Sequence, residues 1–464
     1  MQHAPLAQWF DQADMNDTST VGGKGASLGE MFQKLTTIGV KVPNGFTLTT
    51  EAFHRFITAD IPEATWKNVG APEEVDDLRR AAIEKTTLRD ALEVCLRDAD
   101  PTDHLNLNSR AALARSLVRE TPVPESIKSA IAAEYGKLCE MYSPGVDVAV
   151  RSSATTEDSA DASFAGQYES YLNVSGEQDI IEKWRRCVAS MFTERAIGYH
   201  LEHNMHPLDS AIAVVVMKMA RSDKGSSGVM FTIDPDSGHE GVIHIGSSYG
   251  LGELVVQGVV SPDTFTVWKE GLRQGKFPVV HRTLGSKDQM MVYHEEAANE
   301  VQSIAVPFED RRRWSLSKEE CVELARMALN IEDYFQRPMD IEWAKDGITE
   351  ELYIVQARPE TIHSKAHSSK MTIYKIDEIM AQQLKDDGRV MATGQAVGKR
   401  IGGGKVRLYR TYGEVLEGKR ELRKMLDSGM SREEISPELS VFDEGDVLVT
   451  ETVSYTHLTL PTTE

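Results

Sequence analysis

The run Val148 to Asn173, VAVRSSATTEDSADASFAGQYESYLN, sets the tightest limit on what this chain can build. It opens as a short apolar strand, Val148-Ala149-Val150, then breaks into Ser, Thr, Asp, Ala and Gly around one cation, Arg151. Small hydroxyl residues and Gly166 let backbone amides come close to an anion. An arginine at a strand end adds a forked, permanent charge that suits phosphate oxygens. A second strand, Tyr168 to Val174, is expected to follow. The local reading is a phosphate-gripping loop between two strands. A polar hairpin with Arg151 in a surface ion pair fits the same residues.

At 464 residues the chain is too long for one simple core, and two or three domains are expected. Its net charge of −21 argues against a sequence-independent grip on nucleic acid or on an anionic membrane. A polyphosphate would have to be held by local cations and a bridging divalent metal. Cys95, Cys139, Cys187 and Cys321 are far apart and form no CxxC, which points to reduced, cytoplasmic thiols rather than a disulfide frame or zinc site. MQHAPLAQWF has neither a basic nor an apolar leader region, so no signal peptide is read. The longest apolar run, Ala211 to Met217, is too short to span a membrane.

In VGGKGASLGEMF, residues 21–32, a glycine-rich turn carrying Lys24 gives way to a helix with Ser27 near its cap and Leu28, Met31 and Phe32 on one face. The open backbone and nearby helix start favour an anion at Lys24, although no Gly-Lys-Ser/Thr triplet makes it a Walker A loop. A solvated lysine before an amphipathic helix is the plainer alternative. Val42 to Phe46 reads as a turn into a strand, with a helix from about Thr50. Residues 74–142 read as packing helices, and one long amphipathic helix is expected from about Gln178 to His203, with Trp184, Val188, Met191 and Phe192 in the core. His200, His203 and His206 read as surface histidines. From Ala211 the texture changes to strands broken by glycine and proline. Ser247 to Gly252 is a small-residue loop able to pass close to a ligand, or an ordinary sheet turn.

The second informative site is Met339 to Arg358. In MDIEWA, alternation puts Asp340 and Glu342 on one strand face and Ile341 and Trp343 on the other. A turn at 345–350 returns the chain as LYIVQARPE, with Ile354, Gln356 and Arg358 expected to share a face. The hairpin thus offers two carboxylates, an amide and a guanidinium side by side. Hard carboxylate oxygens suit magnesium, which commonly bridges protein carboxylates to nucleotide phosphates. A cross-strand ion pair on a solvated face is the alternative. Beyond Glu360, THSKAHSSK reads as a linker, and the Gly402-Gly403-Gly404-Lys405 cluster as a turn between β-like segments rather than a phosphate loop.

Six ordered phrases, MNDTSTVGGKGASLGEM, VAVRSSATTEDSADASFAGQ, ARSDKGSSGVMFTIDPDSG, YGLGELVVQGVVSPD, RPMDIEWAKDG and YIVQARPET, give the chain a resemblance to the N-terminal half of the phosphoenolpyruvate synthases (pyruvate, water dikinases). The resemblance implies a mixed α+β and α/β architecture. An ATP-grasp-like nucleotide-binding domain would cover 1–362, a linker 363–385, and the truncated start of a swivelling phosphohistidine domain 386–452, followed by a non-family tail at 453–464. It implies that ATP binds with Mg2+ between subdomains, that a histidine on the swivelling domain takes the β-phosphate as AMP leaves, and that water removes phosphate. The phosphohistidine then phosphorylates pyruvate in a C-terminal barrel of what is expected to be a homo-oligomeric, cytoplasmic enzyme. Family ATP contacts carry over onto Lys24, Arg151, Gly166, Ser170, Glu342, Gln356 and Arg358, with Asp340 and Glu342 as magnesium ligands. Met217 stands where the family usually has glutamine, and it cannot donate to the base or ribose as an amide would. The ending VSYTHLTLPTTE departs from the family: no Gly-Gly-Arg precedes Thr456-His457, so the phosphohistidine and the pyruvate site are expected to be missing from this chain. The same half of a rifampin phosphotransferase or a pyruvate, phosphate dikinase, or a non-catalytic ATP-binding module, are the alternatives.

Overall fold

The computed structural model describes residues 4–101, 103–155, 158–159, 162–163, 169–294, 297, 300–360, 406–409 and 447–450. Its first sheet is built from β1 (Ala7–Trp9), β2 (Gly45–Leu48) and β3 (Val148–Ala154). The chain then makes a two-residue pair, β4 (Asp158–Ser159) with β5 (Ala162–Ser163), before β6 (Ser170–Val174) and β7 (Ile212–Lys218) complete the sheet. The order is β1-β2-β7-β3-β6, and every neighbour is antiparallel. Val148, Val150, Val214 and Val216 point into one apolar cluster and Ala149, Val215 and Met217 into another. With both faces covered, the central strands carry continuous apolar runs in place of an apolar–polar alternation.

Helices fill the first of those clusters. They are α2 (Thr50–Ile57), α3 (Asp76–Ile83), α4 (Leu88–Leu96), α5 (His104–Glu120), α6 (Glu125–Met141), α7 (Glu177–Ser190) and α8 (Glu194–Glu202). The helical periodicity of residues 74–142 is borne out: Ala82, Leu88, Leu92, Leu96, Ile127, Ile131 and Tyr135 are all buried. The single helix expected from Gln178 to His203 is instead two. Thr193 breaks it by capping α8, its hydroxyl accepting from the Ala196 amide at 3.2 Å. Trp184, Val188, Met191 and Phe192 do form core. His200 is no surface residue. It is fully buried, with Nδ1 2.8 Å from the Ala196 carbonyl and Nε2 3.0 Å from Ser210 Oγ, and burial lowers its pKa.

The second sheet takes β8 (Ser226–Phe231), β9 (Val242–Tyr249), β10 (Asp263–Trp268) and β11 (Val279–Thr283). After a separate hairpin of β12 (Gln289–Tyr293) and β13 (Val301–Ala305), it is completed by β14 (Met339–Lys345) and β15 (Leu352–Pro359), in the order β11-β10-β9-β8-β14-β15. The short helices α9 (Glu253–Val256), α10 (Lys269–Arg273) and α11 (Phe308–Arg311) decorate it. The long α12 (Lys318–Phe335) covers one face, opened by a capping box between Ser317 and Glu320. Far along the chain β16 (Val406–Tyr409) pairs in parallel with β17 (Val447–Thr450). The 363–385 linker and the Gly402–Lys405 cluster fall outside the described residues.

Helix α1 (Thr18–Lys34) contacts both sheets, through β3 and β7 on one side and β15 on the other. It is broken at Gly22, whose backbone is not helical, so a helical segment does follow the glycine turn as expected, but Ser27 lies inside that segment and is not its cap. Its hydroxyl donates to the Ala357 carbonyl of β15 at 2.7 Å.

Candidate active site

A cleft of about 830 Å³ lies where the two sheets meet, within the usual range of roughly 300–1,000 Å³ for small-molecule sites. Its first wall begins at the kink in α1. Gly22 has φ +71°, ψ 173°, and a Cβ there would lie 2.0 Å from the Ser153 carbonyl oxygen. Only glycine suits both the left-handed φ and the close approach. The Ser153 hydroxyl donates to the Val21 carbonyl at 2.8 Å and accepts from the Gly25 amide at 3.0 Å, stapling the kink to β3. Lys24 is thereby delivered to the end of β3, where Nζ donates to the Ser152 carbonyl at 3.1 Å.

Arg151, on the same strand, spans the cleft. Nη1 donates to the Val355 carbonyl at 2.8 Å, and Nη2 to Glu342 Oε2 and Gln356 Oε1 at 2.7 Å each. The hairpin of β14 and β15 makes this possible by register: Glu342 faces Gln356 and Asp340 faces Arg358. The expectation that Ile354 shares the face of Gln356 and Arg358 is overturned. The register slips between Glu342 and Trp343, so Ile354 pairs with Trp343 and lies fully buried in the core cluster with it. A one-residue bulge moves a side chain to the opposite face.

The rest of the lining is ordered along β3. Ala149, its cross-strand partner Met217 and the neighbouring Leu172 give an apolar floor. Two residues on, roughly 7 Å at strand rise, Arg151 pairs with Ser170. Glu169, the residue before Ser170, also lines the cleft, as do Arg119 of α5 and Arg186 of α7. Six cationic side chains, Lys24, Arg119, Arg151, Arg186, Lys218 and Arg358, face three carboxylates, Glu169, Glu253 and Glu342. In a chain of net charge −21 this local excess of positive charge is what an anion would seek. Burial raises the pKa of Glu253, partly opposed by Arg151 and reinforced by Glu342.

Of the residues singled out in the sequence, Lys24, Arg151, Ser170, Glu342, Gln356 and Arg358 thus line one cleft. Gly166 lies outside the described residues. Asp340 is on the Glu342 face but not in the lining. Arg358 Nε and Nη2 both donate to its Oδ2, at 2.8 and 2.7 Å, and burial raises its pKa against that attraction. Among the described residues no group of three or more His, Cys, Asp or Glu is arranged to hold a metal ion. The donors fit magnesium in the manner usual for nucleotide sites, one or two carboxylates with the remaining ligands from phosphate and water. The Ser247–Gly252 segment does pass along the cleft, through Leu251 and Gly252. Sequence reading missed Arg119, Arg186, Glu169, Lys218 and Glu253. The two helix arginines carry no local signal, since a charged residue on an amphipathic helix reads as solvated.

The family described as pyruvate phosphate dikinase, AMP/ATP-binding domain matches residues 18–378. The chain is similar to the phosphoenolpyruvate synthase of Synechocystis sp., 41% identical over 421 residues, covering 88% of this chain and 47% of that protein. To the phosphoenolpyruvate synthase of Aquifex aeolicus it is 40% identical, covering 87% of this chain and 44% of the relative. For that of Escherichia coli the values are 40% identity, 89% and 48%. The chain therefore spans about half the length of the curated relatives it matches. Among the described residues no helix is long and apolar enough to cross a membrane.

Proposed function

Because the chain belongs to the pyruvate phosphate dikinase AMP/ATP-binding domain family, we propose that it is the nucleotide-binding half of a phosphoenolpyruvate synthase. The full reaction would take ATP, pyruvate and water to AMP, phosphate and phosphoenolpyruvate. Residues 1–362 would form an ATP-grasp-like unit that holds Mg-ATP, and 386–452 would begin the swivelling domain. The observation that carries this reading is the inter-sheet cleft, where Lys24, Arg151, Glu342, Gln356 and Arg358 converge although they are scattered over more than three hundred residues of sequence.

In this reading the chain contributes position and charge, the main protein contributions to phosphoryl transfer. The Ala149–Met217–Leu172 floor receives the base. Lys24 and Arg151 take the phosphate oxygens, and Gln356 and Arg358 fix the orientation of the chain of phosphates. Glu342, with Asp340 behind it, would hold Mg2+. When bound, the metal neutralises developing charge on the phosphates. For Arg151 to engage phosphate, it must exchange its hydrogen bonds to Glu342 and Gln356. Met217 offers the base no amide donor, so base selection would fall to backbone groups and shape.

Isothermal titration with Mg-ATP tests the reading. Binding is expected, with a loss of roughly tenfold or more in Arg151→Ala, since a charge-assisted hydrogen bond contributes about 1.5–3 kcal/mol. Absence of heat, or an unchanged affinity in the variant, would overturn it.

A further inference from the structure

The six cations of the cleft are not equivalent. Arg151 is engaged by Glu342 and Gln356, Arg358 by Asp340, Arg186 by Glu182 at 2.9 Å, and Lys218 by Asp346 at 3.4 Å. Lys24 bonds the Ser152 carbonyl. Arg119 makes no hydrogen bond or ion pair among the described residues. It stands instead beside another cation, Arg115, whose charged form is disfavoured first by burial and then by Arg119. An exposed guanidinium next to a like charge, lining a cleft and in no ion pair among the described residues, is poised for an anion from outside the chain.

Its place along the cleft says which part of a ligand it would meet. The apolar floor at Ala149 and Met217 comes first, the Arg151–Ser170 pair next, and Glu169, the residue before Ser170, lies on the side away from that floor. Arg119 lines the same cleft, and its neighbour Arg115 interacts with both Arg119 and Glu169, which puts Arg119 toward that end. A nucleotide with its base on the floor and its inner phosphates at Arg151 runs its last phosphate toward the end of α5. Resting on the functional reading above, we propose that Arg119 anchors the terminal phosphate of a nucleoside triphosphate, and so sets a preference for triphosphate over monophosphate. A helix C-terminus also welcomes a cation for its own sake, and the test must separate the two roles.

Titrate the whole chain, Arg119→Ala and Arg119→Lys with Mg-ATP and with AMP, and record the thermal midpoint of each protein. The anchor role predicts that Arg119→Ala loses roughly tenfold or more in Mg-ATP affinity. AMP affinity and thermal midpoint should hold, and Arg119→Lys should recover part of the loss as a point charge. Unchanged Mg-ATP affinity in Arg119→Ala, or an equal fall for AMP and Mg-ATP, overturns the proposal while leaving the nucleotide reading intact. Failure of the unsubstituted chain to bind either ligand overturns both.

Discussion

Arg151 should be a structural tie as well as a ligand group, and its two roles can be measured apart. Arg151→Ala removes three hydrogen bonds of 2.7–2.8 Å that cross from one sheet to the other. It leaves behind a carboxylate, an amide oxygen and a carbonyl. Breaking a buried charge pair by removing one partner costs about 3–5 kcal/mol. Here the side chains of Arg151 and Glu342 are 11% and 25% exposed, so water softens the loss and the low end, about 3 kcal/mol, is expected. Glu342→Ala should cost about 2 kcal/mol, because Arg151 keeps Gln356 and the Val355 carbonyl. The double variant leaves neither charge stranded. Its loss should fall short of the sum of the singles by about 1.5 kcal/mol or more. Urea unfolding of the four proteins without nucleotide gives the cycle directly. Additivity within about 0.5 kcal/mol would mean that the two side chains do not interact energetically, and the inter-sheet tie would be refuted.

Two further outcomes follow from residues away from the proposed phosphate contacts. Gly22→Ala should destabilise by at least about 3 kcal/mol, combining a left-handed φ with a close backbone contact. Adding Ser153→Gly should not rescue it, because the 2.0 Å contact is with the carbonyl oxygen; a urea midpoint near that of the parent would refute this. His200 is held neutral by burial, below its ordinary pKa of 6.5. The unfolded chain binds that proton and the folded chain does not, so stability is present above about pH 6.5 and falls as pH drops through it, by at most about 1.4 kcal/mol per unit. Urea midpoints at pH 7 and pH 5.5 should show a smaller fall in His200→Gln; identical pH slopes would count against it.

Most of the site was legible because its residues sit in patterns with few alternatives. A period-two hairpin put Asp340 and Glu342 beside Gln356 and Arg358, and a glycine run placed Lys24 beside a sharp backbone feature. What misled was non-local or irregular. The bulge that turns Ile354 inward is invisible to strict alternation. The break before α8 depends on one threonine acting as a cap, inside a run whose apolar spacing continues. His200 looks polar in sequence, yet the Ala196 carbonyl and the Ser210 hydroxyl let it be buried. Arg119 and Arg186 could not be found at all from spacing, since only the packing of α5 and α7 brings them to the cleft.

Helix α1 rests on β3 and β7 of one sheet and is bonded through Ser27 to β15 of the other. A rod shared by both jaws behaves as a pivot. Relative movement of the jaws is therefore restrained where Lys24 emerges from this helix, bonded to β3 on one side and, through Ser27, to β15 on the other. The proposed anion grip would thus stand at the stiff end of the tongs.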